Sequence, residues 1–201
     1  MNSDKVLRII FVRHGQTKSN LEKRLQYLED PLTDKGKEQA KNLKEVLKKY
    51  VIDEIICSDE KRAIETAKII NNELDLEVDK IPLIREKSSG DFSKKLVSEV
   101  DWSIVTGDFL NKKIPGGESV LDVIKRSLDF IKVLNNKKRG KNILVVSHGT
   151  FLRILYSIMF NKSPKDLLLN CEFPNAMPII VSMDDGGKWH LEESSIKRKN
   201  D

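Results

Sequence analysis

The chain has 201 residues, of which 39% are apolar and 33% are charged. This composition is typical of a globular protein with one domain of residues 1–201, and it excludes a disordered chain. The apolar runs at residues 9–12 and 151–160 are too short to cross a bilayer, so we expect no membrane partner.

The net charge of +5 fits either a solvated surface, in which lysines alternate with acids, or the attraction of anionic substrates. Aromatic residues make up only 6% of the chain, without a basic stripe between exposed aromatics, so we expect no nucleic-acid partner. The basic cluster at residues 197–199 is predicted to be a frayed terminus. The pattern gives no indication of oligomeric state.

The two cysteines, Cys57 and Cys171, show neither metal-ligand spacing nor a disulfide framework. We interpret both as small core residues of a cytoplasmic protein. The start of the chain has no basic segment followed by a long apolar stretch, so we expect no secretion signal. Histidines and carboxylates form no metal-ligand cluster either, which predicts that no metal or other cofactor is needed.

The first half of the chain alternates strand-like and helix-like segments. In order, the pattern predicts a strand at residues 8–12, a helix capped by Thr33, a strand at 52–57, a helix capped by Ser58 and a more exposed strand at 76–81. Between residues 87 and 114 the periodicity weakens. We predict a lid over the sheet there, in which Trp102 either shapes the lid or simply packs.

The second half continues the alternation. It predicts a long helix capped by Ser119, a buried strand at 142–147, an apolar helix at 149–160, a short helix opened by Ser163 and Pro164, and a closing hairpin of 178–183 with 188–191. The predicted fold class is therefore α/β, a three-layer sandwich with a mainly parallel central sheet and helices on both faces.

Ligands in such sheets bind beyond the carboxyl ends of the strands. Arg13-His14-Gly15 follows the first predicted strand and Ser147-His148-Gly149 follows the fourth. His14 and His148 should therefore meet at one edge of the sheet. The third histidine, His190, lies in the terminal hairpin and is given no role.

The residues at this edge are suited to phosphate chemistry. Arg13 and Arg62 carry planar, permanently charged groups that bind phosphate oxygens in pairs, although either could be a structural ion-pair partner. A helix N-terminus near Arg62 would add to the attraction. Neighbouring guanidinium groups disfavour protonation of His14 and would keep it a competent nucleophile. Glu86 could protonate a leaving alkoxide if its pKa is raised when substrate displaces water, and Glu118 is the alternative acid.

The motif Arg13-His14-Gly15-Gln16-Thr17, with Asn20, resembles the signature of the histidine phosphatase superfamily, in the branch that contains cofactor-dependent phosphoglycerate mutase. Further blocks similar to that family follow in the same order. They are Asp30-Pro31-Leu32-Thr33 with Gly36, Gln39 and Ala40; Ser58, Arg62-Ala63 and Thr66-Ala67; Leu83 to Glu86; Pro115-Gly116-Gly117-Glu118-Ser119; Val146-Ser147-His148-Gly149; and Asn175. The resemblance covers most of the chain.

The resemblance implies a phosphoglycerate mutase-like fold and a role for each matching residue. His14 would be the nucleophile that forms a phosphohistidine, and Glu86 the proton donor and later the base. Phosphate would be held by Arg13, Arg62, His148 and Gly149, with contacts from Asn20 and Gln26. No metal is implied, since the arginines and the histidine supply the positive charge.

Two departures from the family pattern lie near the expected substrate entrance: Tyr27, and the segment Asp91-Phe92-Ser93-Lys94. They affect the expected substrate rather than the chemistry. The lysines at 94, 95, 112 and 113 would suit a substrate with additional negative charge.

The mutase branch has a long insertion with adjacent arginines, whereas residues 87–114 here contain no arginine. A phosphatase that hydrolyses a small phosphorylated metabolite is therefore the first expectation. A phosphoglycerate mutase is the alternative within the same chemistry. A non-catalytic phospho-ligand-binding regulatory protein on the same fold is the third, although such a protein would be expected to have lost His14 or Glu86.

Overall fold

A computed structural model describes residues 6–199 of the chain. The strands are β1 (Leu7–Arg13), β2 (Glu54–Cys57), β3 (Val78–Lys80), β4 (Asn142–Ser147), β5 (Cys171–Glu172), β6 (Pro178–Met183), β7 (Trp189–Ser194) and β8 (Lys197–Arg198). The helices are α1 (Lys18–Glu22), α2 (Asp34–Leu47), α3 (Lys61–Asn71), α4 (Val120–Asn135), α5 (Gly149–Met159) and α6 (Pro164–Asn170).

The central sheet has six strands in the order β3-β2-β4-β1-β6-β7. The pairs β2–β3, β2–β4 and β1–β4 are parallel, while β6 and β7 are antiparallel additions at one side. The prediction of an α/β fold with a mainly parallel sheet is confirmed.

Alternating side chains of β1 and β4 supply a core on each face of the sheet. Ile9 and Phe11 pack with residues of α4 and α5, whereas Ile10 and Val12 pack with residues of α2 and α3. The near-continuous apolar runs of these strands are typical of sheets covered on both sides. Helices therefore lie on both faces, as predicted for a three-layer sandwich.

Local signals placed most elements correctly. Thr33, Ser119 and Ser163 each accept a hydrogen bond from the backbone N–H three residues on, and each caps its helix as predicted. The buried strand at 142–147 has its predicted bounds. Cys57 and Cys171 are both buried and free, in agreement with their assignment to the core.

Two predictions are wrong. Ser58 does not cap α3: its N–H still pairs with Val146 O at 3.0 Å, so the chain stays extended and the helix begins at Lys61 with Glu60 as its N-cap residue. The basic tail is not frayed, because Lys197 and Arg198 form β8 against β5. This pairing uses backbone groups, and side-chain composition does not reveal it.

The predicted lid at residues 87–114 consists of short 3₁₀ turns at Gly90–Phe92, Val97–Glu99 and Trp102–Ile104. It has its own small apolar cluster of Phe92, Val100, Val105 and Ile114, separate from the two sheet cores. Trp102 is 42% exposed and packs edge-on against Phe92, with ring centroids 6.0 Å apart, so its contact lies within the lid itself. Within residues 6–199 no helix is long and apolar enough to cross a membrane.

Candidate active site

The carboxyl ends of β1 and β4 bring His14 and His148 together. These strands are parallel neighbours with Arg13 opposite Ser147, and the N–H of His14 donates to Ser147 O at 3.0 Å. The two imidazole ring centroids lie 5.2 Å apart, and both side chains are fully buried. The predicted meeting of these histidines at one sheet edge is confirmed.

The ring of His14 is held in one tautomer. Its Nδ1 lies 2.7 Å from Gly15 O, and because a carbonyl oxygen only accepts, Nδ1 carries the proton and Nε2 keeps the lone pair. Burial, followed by the charges of Arg62 and Arg13, lowers the pKa of His14 well below its ordinary value of 6.5. His14 is therefore a neutral imidazole with a free Nε2, as a nucleophile requires.

The backbone around His14 is fixed by close contacts with α2 and α3. A Cβ on Gly15 would lie 2.4 Å from Gly36 O, so both positions exclude a side chain. The N–H of Gly15 donates to Thr66 Oγ1 at 3.1 Å. Asn175 Nδ2, from the late block noted in the sequence, donates to His14 O at 2.7 Å.

Arg62, the second residue of α3, is almost completely buried beside His14. Its Nε donates to His14 Nε2 at 3.2 Å, its Nη1 donates to Tyr27 O at 2.8 Å, and its Nη2 contacts the carboxylate of Glu60. Arg62 thus has both a nucleophile and an acid as neighbours. Tyr27 departs from the family pattern, but it is its main-chain carbonyl that positions this guanidinium.

Arg13 approaches from β1. Its Nη1 donates to Phe173 O at 2.9 Å and lies 4.0 Å from Glu172 Oε1. Its Nε is buried and has no hydrogen-bond partner among residues 6–199. Gly149 packs against this guanidinium, since a Cβ there would lie 3.2 Å from Arg13 Nε. The predicted contacts of Arg13 and Gly149 with phosphate stay predictions.

His148 is the N-cap residue of α5, so its ring lies at the positive end of that helix. Within the described residues neither ring nitrogen makes a hydrogen bond, although Nε2 lies 3.2 Å from Glu60 Oε2. Burial, with Arg62 next, lowers the pKa of His148 well below 6.5. Buried polar atoms without partners at a helix N-terminus indicate a place for an anion.

The predicted acid, Glu86, lies on the same side of the sheet. Its carboxylate accepts from Lys87 N at 2.8 Å and from Thr150 N, in the first turn of α5, at 3.1 Å. Burial raises the pKa of Glu86, but those two N–H groups and the charges of Arg62 and Arg153 outweigh it, so the pKa is lowered overall. In the free protein Glu86 is therefore a carboxylate.

The alternative acid, Glu118, is committed elsewhere. Its two carboxylate oxygens accept from Nε and Nη2 of Arg126 at 2.9 and 3.0 Å, and one also accepts from Ser88 N at 2.9 Å. Arg126 further donates to the backbone carbonyls of Leu83, Arg85 and Glu86. The Glu118–Arg126 pair thus supports the segment that carries Glu86.

Glu60 is a site residue that the sequence analysis missed. Its side chain is 10% exposed and contacts both Arg62 and His148. Burial raises the pKa of Glu60 to about 7; Arg62 opposes this shift, and the nearby Glu86 adds to it. The only available signal was its place between Ser58 and Arg62, two residues of one motif block.

A cleft of about 410 Å³, large enough for a small metabolite, is lined by Glu60, Arg62 and Glu86. Gln26 lines it, and Gln26 Nε2 donates to Thr17 Oγ1 at 3.0 Å. Asn20 belongs to the capping box of α1, where its Oδ1 accepts from Thr17 N at 3.1 Å. Lys87 is the lid lysine that lines the cleft.

The four lid lysines singled out from the sequence have other neighbours in three cases. Lys94 lies over the ring of Tyr27 at 4.7 Å, Lys95 over Phe92 at 5.1 Å, and Lys113 pairs with Asp122 at 3.4 Å. These contacts stabilise the lid, and the expected contact of the lysines with a charged substrate stays a prediction. Among residues 6–199 no group of three or more histidine, cysteine or acidic side chains is arranged to hold a metal ion.

An α/β sandwich with paired histidines and buried arginines at one sheet edge defines a class of phosphate-handling proteins. A model of the histidine phosphatase superfamily (branch 1) matches residues 9–196, so the chain belongs to that family. It is 32% identical to phosphoglycerate mutase-like protein 4 of Arabidopsis thaliana, over 94% of this chain and 88% of that protein.

Two further comparisons agree. The chain is 31% identical to the adenosylcobalamin/alpha-ribazole phosphatase of Escherichia coli K12, over 74% of this chain and 77% of that protein. The solved structure of YhfR from Bacillus stearothermophilus is similar, with a TM-score of 0.84 and 27% identity over 92% of this chain and 95% of the other. The family resemblance read from the motifs is thus confirmed, and the relatives include proteins named as phosphatases and as phosphoglycerate mutases.

Proposed function

We propose that this protein is a metal-independent phosphomonoester hydrolase that acts through a phosphohistidine on His14. The observation that carries the proposal is the state of the His14 ring. Its Nδ1 proton is held by Gly15 O, its pKa is far below neutral because of burial and two arginines, and its Nε2 faces the cleft residue Arg62. This nitrogen is a nucleophile surrounded by groups that attract an anion.

In the first step the phosphoryl group lies among Arg13, Arg62 and His148. Arg62 Nε gives up its contact with His14 Nε2 and donates to a phosphate oxygen instead. Nε2 then attacks phosphorus while the bond from phosphorus to the ester oxygen breaks. The charges of both arginines stabilise the transferring group, which is the role that a metal ion has in other phosphoryl-transfer enzymes.

Glu86 supplies the proton for the leaving oxygen. In the free protein its carboxylate is ionised, so it needs a proton when substrate binds. A phosphate group beside it disfavours the charged form and raises its pKa, and the proton comes from the substrate's monoanion or from water. The alcohol then leaves with that proton.

In the second step water hydrolyses the phosphohistidine. Glu86, now ionised again, takes a proton from the water, whose oxygen attacks phosphorus as the bond to Nε2 breaks. Inorganic phosphate is released and His14 returns as a neutral imidazole. One carboxyl group thus acts first as acid and then as base.

The lid favours hydrolysis over a mutase reaction. A mutase must keep an intermediate bound while phosphate returns to it, and the mutase branch binds its substrate carboxylate with adjacent arginines in an insertion. The segment 87–114 is short, contains no arginine and lines the cleft with Lys87 and serines. The mutase reaction is the second candidate, because two similar proteins are named 2,3-bisphosphoglycerate-dependent phosphoglycerate mutases.

The test is to trap the intermediate while a panel of small phosphate esters is screened for phosphate release. A rapidly quenched reaction should contain an acid-labile, base-stable phosphoryl adduct that maps to His14, and activity should persist in excess EDTA. Phosphoglycerate isomerisation is measured in parallel. An adduct on serine or on His148, or a divalent-ion requirement after chelation, would overturn the proposal.

A further inference from the structure

The carboxylate of Glu60 lies where the proposed function requires a phosphate. Its Oε2 is 3.2 Å from His148 Nε2 and contacts Arg62 Nη2. These are two of the groups that the proposed mechanism assigns to phosphate. A carboxylate and a phosphate bind the same kinds of donor. Arg62 Nη2 and His148 Nε2 therefore cannot bind the Glu60 carboxylate and a phosphate at the same time.

The local structure does not account for an acid at this position. Glu60 is the N-cap residue of α3, but its side chain makes no capping hydrogen bond. The chain enters the helix with φ −78° and ψ 138°, and the side chain extends into the cleft. An ionisable group so deeply buried is retained against a cost in free energy, and here it faces the site instead of the helix end.

The charges around Glu60 make a second anion difficult to accommodate. Arg62 on α3 and His148 at the start of α5 lie next to it, and Glu86 faces it from beyond the 3₁₀ turn at Pro82–Ile84. Arg85 is also near, but both its Nε and its Nη2 donate to Asp59. A phosphate dianion would therefore lie beside the carboxylates of Glu60 and Glu86. Repulsion between neighbouring like charges favours protonation of one of these carboxylates.

We propose that Glu60 is a proton-linked occupant of the phosphate site: its carboxylate binds Arg62 and lies against His148 in the free protein, and it takes up one proton and leaves both residues to the phosphate when phosphate binds. This inference rests on the proposed function. The step is balanced by one proton from solvent, separate from the proton that Glu86 receives. That proton leaves again when inorganic phosphate dissociates and the carboxylate returns to its two partners.

The environment of Glu60 supports this exchange near neutral pH, since burial holds its pKa at about 7. Below that pH the carboxyl is already neutral and anion binding needs no further proton. Above it, each additional pH unit should weaken the binding of a dianion by about tenfold, because one proton must be taken from a more dilute supply. His14 and His148 stay neutral in this range, since both of their pKa values are well below 6.5.

The test uses sulfate, which remains a dianion throughout, titrated calorimetrically into the full chain from pH 6 to pH 9. Wild type should lose about tenfold in affinity per pH unit above pH 7.5. Glu60→Gln should lose far less and bind sulfate at least about tenfold more tightly than wild type at pH 8.5. The matched control Glu77→Gln removes an exposed carboxylate directly before β3, and its sulfate affinity should change with pH as that of wild type does.

Repeating the titrations in two buffers of different ionisation enthalpy counts the protons. Near pH 8, wild type should take up about one proton more than Glu60→Gln, and this difference cancels any uptake by Glu86 or the two histidines, which both proteins share. Glu60→Leu provides a second variant without a carboxyl and should agree with Glu60→Gln. Circular dichroism verifies that each variant is folded.

The outcomes separate this inference from the proposed function. If wild type binds sulfate but Glu60→Gln shows the same pH dependence and proton uptake, the inference is wrong and the proposed function stands. Weaker binding by both folded Glu60 variants at high pH would also overturn it, because Glu60 would then support the anion. If wild type binds neither sulfate nor inorganic phosphate at any pH, the proposed function itself fails.

Discussion

The two walls of the cleft are built in different ways. One wall, which includes Glu60 and Arg62, rests on the edge of the sheet. There Arg13, His14 and His148 follow two paired parallel strands, with both histidines fully buried and Arg13 partly buried. The other wall is the lid at residues 87–114, which has only 3₁₀ turns around a small cluster that includes Phe92.

This difference suggests that the sheet edge holds the reacting groups while the lid selects the substrate. Groups that must hold sub-ångström geometry belong on rigid elements, and the sheet edge supplies such a support. The lid is joined to the rest by backbone hydrogen bonds on two sides, such as Leu25 N to Lys95 O at 2.9 Å and Leu121 N to Leu110 O at 2.9 Å. A segment of this kind can change its sequence with little effect on the sheet, so we expect substrate choice to depend on the lid.

The largest effect is expected from the rigid wall. His14→Ala removes the nucleophile and should reduce turnover by at least about ten-thousandfold while the fold is retained. His190→Ala is the matched control, because His190 is exposed in the hairpin. Its ring contacts Asp184, with Nε2 2.7 Å from Asp184 Oδ2. Phosphate release and adduct formation are measured in both. Substantial activity in His14→Ala would assign the nucleophile elsewhere.

The same substitution in the two regions should have unequal consequences. Phe130 is fully buried in the core beneath α4 and packs on Phe151, so Phe130→Ala should reduce the free energy of unfolding by about 3–5 kcal/mol. Phe92→Ala should loosen the lid, raising KM and proteolytic cleavage within 87–114 with a smaller change in global stability. Urea denaturation and limited proteolysis measure both. Equal losses of global stability would show that the lid is part of the main core.

Glu86 lies where the two walls meet, and Glu86→Gln should slow the phosphorylation step with alkyl phosphates by about a hundredfold, or about 2.7 kcal/mol. Aryl phosphates should be affected far less, since a nitrophenolate leaves without a proton. Single-turnover kinetics is required, because the same change also slows hydrolysis of the phosphohistidine. An equal loss with both substrate types would mean that Glu86 is not the acid; Glu60 would then be tested before the arginine-bound Glu118.

The smallest effect concerns stability against pH. The pKa of His14 is depressed in the folded protein, so as pH falls below 6.5 the unfolded chain takes up a proton that the folded His14 refuses. Stability is therefore lost on acidification, by up to about 2 kcal/mol for this group between pH 7 and pH 5. His14→Ala should lose correspondingly less over that interval than wild type or His190→Ala. The free energy of unfolding is measured by urea denaturation at both pH values. An equal loss in all three proteins would contradict a neutral, buried His14.

Much of the fold and the reactive edge follows from local signals in the sequence. Thr33 and Ser119 act within one helical turn, the strand at 142–147 is marked by its continuous apolar run, and the Arg-His-Gly and Ser-His-Gly turns follow their strands directly. Parallel pairing then brings the two histidines together, because the carboxyl ends of neighbouring strands share one edge.

The tertiary structure decided what depends on contacts between distant segments. Glu60 meets His148 across 88 positions of sequence only because the extended entry to α3 lies against the end of β4, which also moved the helix start past Ser58. The ionised state of Glu86 depends on the N–H of Thr150, and the paired tail depends on the backbone of Cys171 and Glu172. Composition and spacing determine which groups are present, whereas burial and the charges packed around each group set its protonation and its partner.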